Sequence, residues 1–288
     1  MSVKMRGTAS APVGGTVLNA LATGTGSSFA IDEYVSARVS LTDEETVTGS
    51  VEGVDDADTR LVERCVELTT ARYGDGEGGH VRTESAVPMA SGLKSSSAAA
   101  NATVMGTLSA LDALEQVSRT EAARFGVEAA RDVGVTVTGA FDDASASMLG
   151  GVTVTDNETD ELLHRETPAW DVLVWTPPER AYSADADVDR CRKVASVADL
   201  VADLALDGEF ERAMTVNGFA FCAALGFPTD PMLDALPDAA GVSLSGTGPS
   251  FVAVGERRSL EPVYERWDER PGTTIRSRTQ SAGVKVDE

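Results

Sequence analysis

A glycine, a lysine and three consecutive serines lie in one short stretch, residues 87–100, which reads Val-Pro-Met-Ala-Ser-Gly-Leu-Lys-Ser-Ser-Ser-Ala-Ala-Ala. The alanines predict a helix that begins near the serines. A helix N-terminus binds anions through its unpaired N–H groups and its partial positive charge. Gly92 lets the backbone approach an anion, Lys94 adds a positive charge, and the serine hydroxyls can bind phosphate or Mg²⁺. Taken alone, the stretch is equally consistent with a phosphate site and with a serine that only caps a helix.

Two adjacent carboxylic acids, Asp142 and Asp143, form the second group that could do chemistry. They follow the segment Val-Thr-Val-Thr-Gly-Ala-Phe and precede a small-residue segment that ends in Gly150 and Gly151. Acids in such a position either cap a helix or, where they face a substrate, act as a general base or a metal ligand. The residues themselves leave both interpretations open.

A glycine-rich turn, Ser-Gly-Thr-Gly-Pro-Ser at residues 245–250, separates two apolar segments that each predict a strand. By itself this pattern is typical of a tight hairpin. No stretch matches the Walker A pattern, and no Gly-x-Gly-x-x-Gly stands between a predicted strand and a predicted helix. The sequence therefore excludes a P-loop protein and a dinucleotide-binding domain of the Rossmann type.

Alternating apolar and polar residues predict the strands that must position these groups. A first strand over residues 3–11 should end at Pro12. Residues 23–28 should form a small-residue loop, for which a flexible surface turn is favoured over a loop that lines a ligand. Residues 44–51 should form a hairpin with a strand over 34–41, and the Val-Thr alternation at 135–138 should form a further strand.

Apolar residues spaced three and four apart predict helices over 58–73, 96–114, 119–132, 188–206, 210–225 and 259–268. Ser118 and Thr120 are the candidate N-caps for the third of them. Asn217 is expected on a solvated face of the fifth. A strand over 170–176 should begin a second structural unit.

The charge of the chain is strongly one-sided, with 24 basic and 46 acidic residues among 288 and a formal net charge of −22. Repulsion among so many carboxylates is relieved by salt, so the composition indicates a halophilic protein. The same charge excludes a nucleic-acid partner. The three scattered cysteines predict buried free thiols, and the lack of a long apolar run predicts a soluble, cytoplasmic protein without a membrane partner.

The serine stretch, the acid pair and the glycine-rich turn together resemble the GHMP kinases in both residues and order. The family's central motif is matched by Pro88, Gly92, Leu93, Ser95, Ser96 and Ala98. Ala90 and Lys94 depart from the usual pattern, and the family's first motif is reduced to Ala-Pro-Val-Gly-Gly at residues 11–15. With the segments at 14–24 and 138–144, these departures are similar to one branch of the family, the archaeal shikimate kinases.

The resemblance implies an α+β fold in two parts. Residues 1–160 should form the nucleotide-binding domain, similar to domain 2 of ribosomal protein S5, and residues 161–288 a ferredoxin-like domain. The implied reaction transfers the γ-phosphoryl of ATP to the 3-hydroxyl of the small-molecule substrate shikimate, with Mg²⁺ as the metal. The alternatives are another GHMP small-molecule kinase, such as homoserine kinase, and a non-catalytic ligand-binding regulator.

The resemblance also implies roles for particular residues. Mg²⁺ would be held by Ser96 and Glu128. Lys94 and one of Asp142 and Asp143 would act on the substrate hydroxyl; Asp142 is favoured because it comes first after the strand, which leaves Asp143 to cap the next helix. The ATP phosphates would contact Pro88, Met89, Ala90, Ser91, Gly92, Leu93, Lys94, Ser95, Ser96, Ser97, Ala98, Gly246, Thr247 and Gly248.

Overall fold

The computed structural model describes residues 5–88, 91–179 and 186–287. Its strands are β1 (Met5–Leu18), β2 (Thr25–Thr42), β3 (Val47–Val51), β4 (Gly78–Ser85), β5 (Val152–Asp156), β6 (Glu161–Glu166), β7 (Asp171–Thr176), β8 (Gly241–Leu244), β9 (Phe251–Gly255), β10 (Thr273–Arg278) and β11 (Lys285–Asp287). Its helices are α1 (Arg60–Tyr73), α2 (Ser95–Ala110), α3 (Arg119–Asp132), α4 (Phe141–Leu149), α5 (Val188–Arg192), α6 (Ala195–Leu206), α7 (Phe210–Leu225), α8 (Asp230–Ala235) and α9 (Arg257–Asp268). The predicted α+β class is confirmed.

The strands of the described chain form two sheets. The larger sheet has the order β11-β1-β2-β4-β3, and β5 pairs with the first part of β2 and with β6. The smaller sheet has the order β10-β7-β9-β8. The change from one sheet to the other thus falls between β6 and β7, near the predicted domain boundary, and the C-terminal strand β11 returns to the first sheet.

The strand β1 does not end at Pro12 as the sequence predicted. It continues to Leu18, with a register shift between Pro12 and Gly14 in its pairing with β2. At this irregularity the N–H of Gly14 donates to the carbonyl of Leu93, 3.0 Å away. A bulge of this kind re-aims the backbone without ending the strand, and here it connects β1 to the serine stretch.

Two other strand predictions are wrong. The segment Val47–Val51 pairs in parallel with β4, which lies between it and β2, so it forms no hairpin with residues 34–41. Residues 135–138 form a loop rather than a strand, although Val-Thr alternation favours a strand. The predicted loop at 23–28 is also largely strand, because β2 begins at Thr25.

The core explains why α2 is so rich in alanine. This helix packs on β1 and β2, and it is buried on all sides, including Ala98, Ala102 and Leu108. Small side chains allow the helix to lie close to the sheet. The start of α2, and with it the serine stretch, is therefore held against the middle of the larger sheet.

Aromatic rings join the two sheets. Phe29 of β2 meets Trp170 edge to face at 5.7 Å between ring centroids, and Trp170 meets Phe210 of α7 at 6.3 Å. The three cysteines are buried free thiols, as expected. Within the ranges that the structure describes, no helix has both the length and the apolar character needed to span a membrane.

Candidate active site

The serine stretch forms a loop that leads into α2. Lys94 precedes the helix in a left-handed conformation, with φ of 65°, and the first intrahelical bond runs from Ala98 N–H to the Lys94 carbonyl. Within the described residues, the N–H groups and hydroxyls of Ser95, Ser96 and Ser97 have no hydrogen-bond partner, and Ser96 is exposed. An ordered helix N-terminus with unpaired donors is suited to an anion. Met89 and Ala90, predicted to contact phosphate, lie outside the described residues.

The serine loop is fixed by the glycine-rich turn. Ser245 Oγ donates to the Gly92 carbonyl at 2.8 Å, and the N–H of Ser250 donates to the Ser91 carbonyl at 3.3 Å. Gly92 has φ of 80°, and a Cβ there would collide with the Ser245 carbonyl oxygen. Only glycine fits this left-handed position at such a close approach. The two motifs, far apart in sequence, therefore form one backbone unit.

A buried network ties the glycine-rich turn to β1 and α7. The Gly246 N–H donates to Thr16 Oγ1 at 2.8 Å, and Asn19 Nδ2 donates to the Gly246 carbonyl at 2.8 Å. Asn217 Oδ1 accepts from the Asn19 N–H at 2.9 Å, and Asn217 Nδ2 donates to Ser243 Oγ at 3.1 Å. Asn217 is 0% exposed, so its predicted place on a solvated face is wrong. Buried amides of this kind fix a unique arrangement when all partners are present.

Asp143 and Lys94 form an ion pair of 2.7 Å between Oδ1 and Nζ. Both are largely enclosed, with side chains 15% and 9% exposed. Ser28 Oγ donates to the same Asp143 oxygen at 2.6 Å. Asp143 was expected to cap α4 if Asp142 were the base; instead α4 begins after Ala140 without a side-chain cap, and the Asp143 carboxylate turns toward Lys94. The ion pair connects the acid pair to the start of α2.

Asp142 is buried more deeply, with 4% of its surface exposed. Asn157 Nδ2 donates to its Oδ1 at 2.7 Å, and Ser28 Oγ lies 3.2 Å from its Oδ2. Gly26 makes this position possible, because a Cβ on that residue would stand 2.6 Å from Asp142 Cγ. Burial first, and the negative charge of Asp143 second, raise the pKa of Asp142 to about 6, while Lys94 opposes this shift.

The structure therefore brings together the serine loop, the glycine-rich turn and the acid pair. Glu128 is different: it is exposed on α3, and its carboxylate has no hydrogen bond or ion pair to another described residue. The described residues also contain no cluster of three or more His, Cys, Asp or Glu side chains that could hold a metal ion. The role of Glu128 as a metal ligand therefore stays a prediction without a supporting contact.

Sequence reasoning gave no role to Thr16 or Asn157, and it placed Ser28 only in a small-residue segment that could line a ligand. Thr16 lies in β1 after two glycines, Ser28 follows another serine in β2, and Asn157 lies in an acidic turn directly after β5. Complete burial of Ser28 and Thr16, at 0% exposure, is what marks them as part of the site. None of the three lies in a strand that the sequence predicted, so alternation within a strand gave no signal for them.

A cavity of about 360 Å³ lies elsewhere, lined by residues of β7, β10 and the first turns of α9. Two of its arginines are already paired, Arg278 with Asp32 and Arg276 with Glu261. None of the predicted site residues lines it. The chemistry that the sequence indicates therefore belongs to the serine loop and the acid pair.

Comparison with known proteins agrees with the motifs. Residues 60–151 match the family model for the GHMP kinases N terminal domain. A shikimate kinase of Halobacterium salinarum is 63% identical over 283 residues, which cover 98% of this chain and 100% of that protein. A shikimate kinase of Methanosarcina mazei is 50% identical over 256 residues, covering 88% of this chain and 87% of that protein.

Solved structures with the same fold include other kinases. A homoserine kinase from Cytophaga hutchinsonii has a TM-score of 0.76 at 17% identity, covering 100% of this chain and 99% of that one. The mevalonate kinase of Methanococcus jannaschii has a TM-score of 0.71 at 14% identity, covering 95% of this chain and 98% of that one. At such low identity these matches concern the fold alone, and they confirm the predicted GHMP kinase fold.

Proposed function

Because the chain belongs to the archaeal shikimate kinases of the GHMP family, we propose that it transfers the γ-phosphoryl group of ATP to the 3-hydroxyl of shikimate. The observation that carries this proposal is the Lys94–Asp143 ion pair next to a helix N-terminus with unpaired donors. Phosphoryl transfer depends on positioning and charge neutralisation more than on covalent chemistry. The ion pair and the helix N-terminus together provide positioning and charge neutralisation.

The phosphates of ATP bind at the serine loop. Unpaired N–H groups and hydroxyls of Ser95, Ser96 and Ser97 provide donors at the positive end of α2. Gly92 has no side chain that would block the approach of phosphate to the backbone, and the glycine-rich turn at 245–250 holds the loop in place. The protein's own hydrogen bonds hold this loop in place, so we expect little ordering on binding.

Mg²⁺ fits this site through the exposed Ser96 hydroxyl. Mg²⁺ keeps several waters and is commonly bound by one or two protein groups together with substrate phosphates, so a complete protein cage is not needed. The ion supplies neutralisation of phosphate charge when it is bound. Ser96 is the residue of this chain that we assign to it.

Asp143 is the acid that we assign to the substrate hydroxyl, in place of Asp142, which the sequence favoured. Asp142 is enclosed by Gly26, Ser28 and Asn157, whereas Asp143 is the more accessible of the two and is oriented by Lys94. A carboxylate held in this way accepts or orients the hydroxyl proton. Lys94 fixes the direction of the Asp143 carboxylate and adds positive charge where phosphate charge must be balanced.

We place the reaction in the cytoplasm, because three buried free thiols are typical of proteins from a reducing compartment.

The test is ATP consumption by the purified chain with shikimate, homoserine, mevalonate or galactose, in about 2 M KCl because of the large negative charge. We expect turnover with shikimate and a product phosphorylated at the 3-hydroxyl, identified by NMR. Turnover with homoserine instead would identify another GHMP kinase. No turnover with any of them, together with measurable ligand binding, would identify a regulator.

A further inference from the structure

Two carboxylates and one hydroxyl form a continuous chain at the proposed catalytic end of the site. Ser28 Oγ lies 2.6 Å from Asp143 Oδ1 and 3.2 Å from Asp142 Oδ2. Ser28 is completely buried, so water does not compete for its hydroxyl. A serine hydroxyl has one proton and two acceptor lone pairs, so it can receive a proton on one side and release its own on the other.

We infer that the Ser28 hydroxyl passes the proton of the substrate from Asp143 to the buried Asp142. This inference rests on the proposed kinase function and adds two residues to its machinery: Ser28 as the connecting hydroxyl and Asp142 as the group that holds the proton.

The steps balance in protons and electrons. The O–H bond of the substrate hydroxyl breaks, its proton forms an O–H bond on Asp143, and the freed electron pair of the oxygen forms the new bond to the γ-phosphorus of ATP while ADP leaves. The Asp143 proton moves to Ser28 Oγ as the original Ser28 proton moves to Asp142. After product release the proton returns by the same path and leaves through Asp143.

Electrostatics explain why a second acid is useful. A proton that stayed on Asp143 would remove the negative charge that is paired with Lys94 at 2.7 Å. Moving that proton to Asp142 restores the ion pair while phosphoryl transfer proceeds. The charged groups that bear on Asp142 are Asp143 on the same helix and Lys94 before α2; its contacts on β2 and at Asn157 are neutral.

The surroundings of Asp142 fit the role of a proton holder. Burial and the nearby Asp143 charge raise its pKa to about 6, so near neutral pH it is ionised and ready to accept, yet it holds a proton more readily than an exposed aspartate. Asn157 fixes its orientation: Nδ2 donates to Asp142 Oδ1, and Asn157 Oδ1 accepts from the Asp142 N–H at 3.1 Å. Asn157 is thus a positioning residue.

The experiment compares Ser28→Ala with Ser27→Ala. Ser27 is the matched control, because it is the neighbouring serine of the same strand, is also buried, and has a hydroxyl without a partner in the described residues. We expect Ser28→Ala to lower kcat with shikimate and ATP about tenfold, with little change in either KM. In the wild type kcat should fall below about pH 6, because Asp142 then already carries a proton; in Ser28→Ala this decline should be lost. Ser27→Ala should keep the wild-type kcat and pH profile.

Infrared spectroscopy of the protein without substrate tests the protonation of Asp142 separately from catalysis. The carbonyl stretch of a protonated, buried carboxylic acid should appear as the pH falls through about 6 and should be missing in Asp142→Asn. If that band titrates but shikimate is not phosphorylated, the proposed function is wrong while Asp142 remains the proton holder. If shikimate is phosphorylated and Ser28→Ala retains the wild-type kcat and pH profile, or if the band is absent, the relay is wrong.

Discussion

The two ends of the proposed site differ in how completely their polar groups are paired. At the acid end, Asp142, Asp143 and Lys94 are enclosed and hydrogen-bonded to one another or to Ser28 and Asn157. At the serine-loop end, the first donors of α2 have no partner among the described residues and Ser96 is exposed. The end that we propose handles the proton is thus fully paired within the protein, whereas the end that we propose binds phosphate keeps donors available for a ligand.

This difference predicts that variants at the two ends will lose activity in different ways. Changes at the acid end should alter kcat and the pH dependence, because preorganised charges act on the reacting atoms. Changes at the serine loop should lower kcat through lost phosphate or Mg²⁺ contacts and should leave the pH dependence of kcat unchanged. The following variants test this contrast, beginning with the largest effect.

The largest loss should come from Asp143→Asn. The substitution keeps the size of the side chain but removes both the proton acceptor and the partner of Lys94, so we expect kcat to fall by about 10²- to 10⁴-fold with a modest change in KM for shikimate. Asp132→Asn is the control, since Asp132 also pairs with a basic residue, Arg64, but on the surface. Steady-state kinetics of the two variants check this. Equal kcat values for Asp143→Asn and Asp132→Asn would contradict the assignment of Asp143.

An intermediate effect should come from Ser96→Ala. Loss of the exposed hydroxyl removes the proposed Mg²⁺ contact, and we expect kcat to fall by about 10- to 100-fold while the melting temperature hardly changes. Ser118→Ala is the opposite control, because Ser118 caps α3 by accepting from the Glu121 N–H. It should cost about 1 kcal/mol of stability and leave kcat unchanged. If Ser96→Ala loses stability but keeps its turnover, Ser96 is only a helix cap.

A smaller effect, on stability, should come from Asp142→Asn. The raised pKa of Asp142 means that the native state binds this proton more tightly than the unfolded chain. The wild type should therefore lose stability as the pH rises from about 4 to above 6. The neutral variant lacks this loss, so we expect it to be about 1–2 kcal/mol more stable than the wild type near pH 7.5 and equal to it near pH 4. Urea unfolding at both pH values measures the difference; a variant that is less stable at pH 7.5 would show that the charge of Asp142 is well compensated.

The smallest effect should be the change that salt causes in the pH at which Asp142 titrates. The whole chain, with its net charge of −22, should melt at a higher temperature in about 2 M KCl than in about 0.1 M, because the Debye length falls from about 10 Å at 0.1 M to about 3 Å at 1 M. Buried charges are screened much less, so the pH at which Asp142 titrates should hardly move. Circular dichroism and infrared titration at the two concentrations separate the responses. Equal melting temperatures would remove the inference of salt adaptation.

Much of the site could be predicted from sequence, because its backbone parts are local motifs. The beginning of α2, Gly92 and the turn at 245–250 are each encoded in a few consecutive residues. The partners of the acid pair could not be predicted in this way. Ser28 is 114 residues from Asp142, and a serine in the run Gly-Ser-Ser does not reveal which distant residue it contacts in the fold.

The errors in the fold have a similar cause. Residues 44–51 are adjacent in sequence to β2, and adjacency favours a hairpin, but the later strand β4 takes the place beside β2. The valines at 135 and 137 favour a strand by type, yet they are 38% and 51% exposed in a loop. Pairing across the sheet and packing decided these segments, and local propensity did not.

The pairing of β11 with β1 bears on how the protein is made. Thr8, Ala9 and Ser10 of β1 pair with Asp287, Val286 and Lys285, so one side of an early strand stays unpaired until residues that the ribosome adds much later are present. Until then the open side of β1 exposes unpaired N–H and C=O groups, to which another chain can add. During synthesis this side of β1 is therefore open to pairing with another chain, and a chaperone that shields extended segments would protect it there.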